Sequence, residues 1–146
     1  MVCQLFSDVV PKTCQNFKGL CAGTKVDGGF GTLTYKDSVF HRIQPRGWVQ
    51  GGDIVDGAGD GGRSIFGDTF EDENFAILHD RRGRLGMANN GLHSNASQFF
   101  ISFSALEWMN TKYVAFGYVC LTRFAMDLDF YGFDCLFHAL GAFEKW

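Results

Sequence analysis

Few residues in this chain have spacings that suggest chemistry, and most of those lead nowhere. Gly57-Ala58-Gly59-Asp60-Gly61-Gly62 has the form G-x-G-x-x-G, which cradles a pyrophosphate when it joins a strand to the bare N-terminus of a helix. Here Asp53, Asp56 and Asp60 would repel phosphate, and Arg63-Ser64-Ile65-Phe66-Gly67 does not read as a long helix. A structural glycine loop is the better reading. Phe70-Glu71-Asp72-Glu73-Asn74-Phe75 sets its acids between two rings but lacks the spaced carbonyl or imidazole ligands of a metal site. It reads as a solvated turn pinned by its phenylalanines. The histidines, His41, His79, His93 and His138, form no H-x-x-x-H, and no G-x-S-x-G presents a nucleophile. Asn95-Ala96-Ser97 is a formal glycosylation sequon, idle in a chain that is not secreted. What survives is binding, or a reaction that needs neither nucleophile nor metal.

The elements that must hold any such site are short. Val2 to Phe6 reads as a strand. Pro11 can open a helix, because its missing N–H is not needed there. Cys14, Phe17, Leu20 and Cys21 give that helix one apolar face, and Gly23 stands where it should stop. Val26 to Tyr35 reads as a glycine-rich loop. Val39–Ile43 and Trp48–Ile54 are strand candidates across a Gln44-Pro45-Arg46-Gly47 turn. Gly57 to Gly67 reads as a surface loop. Leu85–Ala88 and Gln98–Phe103 are further strands joined by the polar stretch Asn89–Ser97, and Val114–Val119 is another. From Cys120 to Trp146 phenylalanines are scattered with no clear period of 2 or 3.6.

Composition bounds the rest. At 146 residues the chain suits one domain. A formal net charge of −3 gives no basic footprint for nucleic acid or an anionic membrane. No apolar run approaches the roughly 20 residues that span a bilayer. The start, MVCQLFSDVV, lacks a basic region followed by an apolar one, so a secretory signal is not expected. Glycine at 19 with proline at only 2 implies tight turns inside an ordered domain, and 16 phenylalanines imply a core or groove lined by rings. The cysteines, Cys3, Cys14, Cys21, Cys120 and Cys135, are odd in number and form no C-x-x-C. Unpaired thiols in an intracellular, reducing compartment, with no zinc site, are expected.

One signal is left, an ordered set of strings. They are Phe40-His41-Arg42-Ile43, Gln50-Gly51-Gly52-Asp53, Phe70-Glu71-Asp72-Glu73-Asn74-Phe75, Met87-Ala88-Asn89, Ser97-Gln98-Phe99-Phe100-Ile101 and Val114-Ala115-Phe116-Gly117. Together, from about Val2 to Val119, they resemble the cyclophilins, the cyclosporin-binding peptidyl-prolyl cis-trans isomerases. Gly47-Trp48 and Gly86-Met87-Ala88-Asn89 look most like a divergent branch, the sixth isomerase-like group. The resemblance implies a mainly β fold, an antiparallel β-barrel with a capping helix. It implies an isomerase domain over 2–119, followed by a Phe-rich tail, 120–146, of unassigned structure.

The reaction so implied is rotation about an X–Pro amide, whose barrier is about 18–20 kcal/mol because resonance stiffens the C–N bond. No bond breaks, so no metal or cofactor is needed. At the rotational midpoint conjugation is lost and the proline nitrogen becomes a better acceptor. A fixed cation can then donate to it more strongly than in the ground state. By resemblance Arg42 is that catalytic cation. Phe100, Met109 and Trp48 make the apolar pocket for the proline ring. Gln50 and Gln98 position the peptide and Arg42. Ala88 and Asn89 offer backbone to the bound peptide, and Trp108 borders the groove. Tyr113 completes the pocket where the family has a histidine. The partners implied are proline-containing peptides or proteins, with cyclosporin as a further ligand and neither nucleic acid nor membrane, and the expected enzyme is a monomer in the cytoplasm.

The departures matter. Gly47 stands where the family usually has a phenylalanine of the pocket wall, and Trp48 where a methionine is usual. Tyr113 keeps a ring but changes hydrogen bonding. Weakened activity is therefore expected. The family's first strand, second helix and last strand have no recognisable counterpart, so the barrel is expected to be incomplete, with exposed edges. Two rivals follow: a non-catalytic module that binds proline peptides, and a truncated product that folds poorly.

Overall fold

The structure, a computed structural model, describes residues 2–26 and 31–120. The Phe-rich tail beyond Cys120, the second helix and last strand sought there, His138, Cys135 and the glycines at 28 and 29 lie outside the described residues.

Strands β1 (Val2–Leu5), β4 (Arg42–Gln44), β5 (Trp48–Gly51), β6 (Arg84–Met87), β7 (Phe99–Ser102) and β8 (Ala115–Cys120) form one antiparallel six-stranded sheet. Its order is β1-β8-β6-β7-β5-β4. Strands β2 (Thr24–Lys25) and β3 (Thr32–Leu33) form a separate two-stranded ladder. The fold is mainly β with one helix, as expected, and among the described residues β1 and β4 do not meet, so the barrel is not closed. β8 runs through Cys120, which pairs with Val2, one residue into the segment set apart as tail.

Three regions differ from expectation by more than a single residue at a strand end. The 26–35 stretch contains strand residues, because a two-residue ladder such as Thr24↔Leu33 and Lys25↔Thr32 is too short to leave a period in sequence. β4 starts only at Arg42, in the register set by the hairpin over Pro45 to Gly47. β5 stops at Gly51, because Gly52 takes φ +85°, a left-handed conformation that ends a strand.

Helix α1 (Pro11–Ala22) begins at its proline and ends before Gly23 at φ +82°. It buries Thr13, Cys14, Asn16, Phe17 and Leu20. The Phe17 ring meets Tyr35, Phe99 and Phe116 at centroid distances of 5.3, 5.2 and 5.1 Å. Leu85, Met87 and Val114 close this main core. Between Leu85↔Gly117 and Gly86↔Ala115 the register slips, and the extra residue, Phe116, is fully buried in the core.

The helix has no cap of its own, since Val10 occupies the capping position. Glu73 supplies one from a distant loop. Its Oε1 accepts from Lys12 N at 3.0 Å, and its Oε2 accepts from Thr13 N and Thr13 Oγ1, each at 2.9 Å. The acidic run is thus a docking segment as well as a turn. Asp72 likewise accepts from the buried Asn95 Nδ2 at 2.8 Å. That burial leaves the sequon asparagine inaccessible. Asn16 ties two more loops to the helix, donating to Ala96 O at 2.7 Å and accepting from Ile65 N at 3.0 Å.

Candidate active site

Alternation along a strand sends neighbouring residues to opposite faces of the sheet. Phe99 joins the main core under α1, while Phe100 joins a second cluster with Leu106 and Met109 on the other face. The ladder pairs Arg42↔Gln50, Gln50↔Phe100 and Phe100↔Gly86 form one row across β4, β5, β7 and β6. Arg42, Gln50 and Phe100 therefore share a face, and Trp48, two residues before Gln50, shares it too. Gly86 stands in that row with no side chain. A Cβ there would overlap the Phe100 ring and come within 2.8 Å of His79 Cε1.

A cleft of about 210 Å³ opens on this face. Arg42, Trp48, Gln50, Ala88, Asn89, Gln98, Phe100, Trp108, Met109 and Tyr113 all line it, so every site residue named from the sequence is brought together. Phe100 and Met109, each 2% exposed, form its apolar floor, with Trp48 and Tyr113 packed against them. Tyr113 stands edge-on to Phe100 at 5.9 Å and to Trp108 at 6.4 Å, and Trp48 meets Trp108 at 5.9 Å. The Trp48 indole thus stands as a wall beside Gly47, which is given over to the turn: Gly47 N donates to Gln44 O at 2.9 Å.

The Arg42 guanidinium lies 5.5 Å from the Trp48 ring, a cation–π contact. Among the described residues no carboxylate pairs with it and no acceptor takes its N–H groups. Gln50 Nε2 donates to Gln98 Oε1 at 2.9 Å, and Gln98 Nε2 donates to Gly59 O and Gly61 O at 2.9 and 2.6 Å. The Asn89 side chain is spent on structural bonds, donating to Lys112 O of a neighbouring loop at 2.9 Å and accepting from Gly91 N of its own at 3.2 Å. The backbone N–H and C=O of Asn89 have no hydrogen-bond partner among the described residues.

Sequence reasoning missed several supports. Gly59, Gly61, Asn90, Ser94 and Ala96 also line the cleft. The first two belong to the glycine loop read as structural, and their nearness to the cleft left no pattern in the sequence. His79 is fully buried and lies beside Phe100, centroids 5.4 Å apart. Its Nε2 lies 3.0 Å from Tyr113 O, and Nδ1 has no partner among the described residues. Burial lowers its pKa, outweighing that carbonyl, so the ring is neutral and donates from Nε2. Asp80 sits well below the usual carboxylate range because Arg81, and then Arg84, donate to it.

Comparison with known proteins agrees with this architecture. The family model described as "Cyclophilin type peptidyl-prolyl cis-trans isomerase/CLD" matches residues 1–127. The chain belongs to the cyclophilin-type peptidyl-prolyl cis-trans isomerase family. It is 55% identical over 118 residues to the mouse (Mus musculus) "Probable inactive peptidyl-prolyl cis-trans isomerase-like 6", covering 80% of this chain. Against the human (Homo sapiens) protein of that name, identity is 54% over 121 residues and 80% of this chain. The chain spans 38% of the length of each. A "Peptidyl-prolyl cis-trans isomerase" of Encephalitozoon cuniculi (strain GB-M1) is 49% identical over 119 residues, which cover 82% of this chain and 66% of that protein. No group of His, Cys, Asp or Glu suited to a metal occurs among the described residues.

Proposed function

We propose that this chain catalyses cis-trans isomerisation of X–Pro peptide bonds in proteins at the cleft beside Arg42, assisting folding, with activity below that of a standard cyclophilin. The observation that carries the reading is a guanidinium whose donors no described residue claims, at the edge of a ring-lined slot. The slot of Phe100, Met109, Trp48 and Tyr113 takes the proline ring and excludes water from the rotating amide. The open N–H and C=O of Asn89 suit pairing with an extended peptide. Arg42 then donates to the proline nitrogen as it becomes pyramidal, a bond stronger in the transition state than in the ground state. Uncatalysed rotation takes tens to hundreds of seconds, so modest acceleration is measurable. Cyclosporin, a cytoplasmic setting and a monomeric state are parts of the same reading.

The test is cis-to-trans conversion of an X-Pro peptide followed with the natural chain and with Arg42→Ala. The variant is expected to lose about 100-fold in kcat/KM, as when a positioned donor is removed. Equal rates for the two chains would sink the enzymatic reading. A second reading is favoured by the words "probable inactive" in the names of the mouse and human relatives. In it the cleft binds proline peptides and does not turn them over. Calorimetry showing peptide or cyclosporin binding at background isomerisation rates selects it.

A further inference from the structure

Polar order in the cleft begins at a charge outside it. The Asp53 carboxylate, on a residue 2% exposed, collects four backbone N–H groups. Oδ1 accepts from Val55 at 3.0 Å and Asp56 at 3.4 Å, and Oδ2 accepts from Gly59 at 2.8 Å and Gly61 at 3.0 Å. Burial opposes the charge, but the N–H groups of Val55, Gly59 and Gly61 hold the carboxyl well below the usual range. The glycines that donate to Asp53 are the ones whose carbonyls accept from Gln98 Nε2. Two acceptors on one amide nitrogen decide which way round the Gln98 amide sits. Its oxygen then faces Gln50 and takes the Gln50 Nε2 proton. The Gln50 oxygen is left on the side of the Trp48 indole, whose Nε1 lies 3.5 Å away. That indole carries Arg42, the cross-strand partner of Gln50. The loop has little room to move: a Cβ on Gly61 would stand 2.7 Å from Asp53 Oδ1, and one on Gly59 2.7 Å from His41 Cδ2.

We propose that Asp53 is a positioning residue of the cleft, setting through Gly59, Gly61 and Gln98 which atom of Gln50 faces Arg42 and a bound peptide. This rests on the isomerase reading above for its consequence, though not for its geometry. Gln50 thereby turns its oxygen toward the Trp48 indole on which Arg42 lies, where its NH2 would otherwise compete with the guanidinium as a donor.

Asp53→Asn tests it, because an amide has one acceptor oxygen and can satisfy only one of the two N–H pairs. The side-chain N–H signals of Gln98 and Gln50 are followed by NMR on the full chain, together with near-ultraviolet circular dichroism. In parallel, kcat and KM for an X-Pro peptide are measured in the natural and Gln98→Met backgrounds. The variant is expected to keep its near-ultraviolet signal, to move both glutamine signals and to speed their hydrogen exchange about tenfold. Its kcat is expected to fall about tenfold with KM changed less than about twofold, and no further in the Gln98→Met background. If Asp53→Asn unfolds, Gly61→Ala retains the charge and displaces the loop, and the same two signals are expected to move. Glutamine signals that stay in place, or losses from Asp53 and Gln98 that multiply, overturn the proposal. Should the natural chain turn over no peptide, the isomerase reading fails while the glutamine signals still decide this one.

Discussion

Gly86 is a glycine because an aromatic ring occupies the space a side chain would take. The Phe100 ring lies across it, and His79 closes the other side. Gly86→Ala is expected to push the ring into the cleft and destabilise the fold by about 1–3 kcal/mol, the usual cost of overpacking. Chemical denaturation measures the loss, and quenching of Trp48 and Trp108 fluorescence by an X-Pro peptide reports the narrowed slot. Unchanged stability would show that the ring has room to yield. The same scale explains how the cleft accommodates Gly47: the neighbouring indole of Trp48 packs on the Phe100 cluster and carries Arg42 on its face.

At the scale of elements, the helix depends on a residue sixty positions away in sequence. Glu73 takes the Lys12 and Thr13 N–H groups that a local cap would normally take, and its charge favours the positive end of the helix dipole. Glu73→Ala is expected to cost about 1–2 kcal/mol, typical of a lost cap. Thr13→Val removes the hydroxyl bond to Glu73 Oε2 while keeping the shape of this buried side chain, and is expected to cost less, by about half. Urea midpoints compared across the two variants check the order, and an equal or reversed ranking would place the stabilisation elsewhere. Ser102 does similar work for β6, accepting from Arg84 N at 3.0 Å and donating to Arg81 O at 2.9 Å.

Across the whole molecule, buried His79 and Asp53, with the ion-paired and exposed Asp80, set the response to acid. The fold holds His79 neutral, whereas the unfolded chain takes up a proton near the ordinary value of 6.5. More protons bound by the unfolded state means that stability rises with pH, so it falls as pH drops below about 6.5. Asp53 and Asp80 are held ionised below the ordinary value of 3.8, and what they contribute is present above that value and lost further down. Denaturation midpoints at about pH 7.5 and about pH 5.5 should therefore differ, and His79→Gln should narrow the gap. A gap as wide in the variant as in the natural chain assigns it to another group. Among the described residues no helix is long and apolar enough to cross a membrane.

Much of this molecule was readable from the chain alone. Pro11 and Gly23 bracket the helix, the short apolar runs mark most strands of the main sheet, and the ordered strings around Arg42, Gln50, Gln98 and Phe100 carry the family likeness. These are local signals, since a turn, a cap or a strand leaves its mark within a few neighbouring residues. Tertiary structure alone decided the rest. Only the register of β4, β5, β7 and β6 puts Arg42, Gln50, Phe100 and Gly86 in one row. Only folding brings Glu73 to the helix, His79 beneath Phe100, and the Asp53 loop onto Gln98. Those contacts join residues far apart in the chain, and no spacing encodes them, because hydrogen bonds and packing act over ångströms in space and are blind to distance along the backbone.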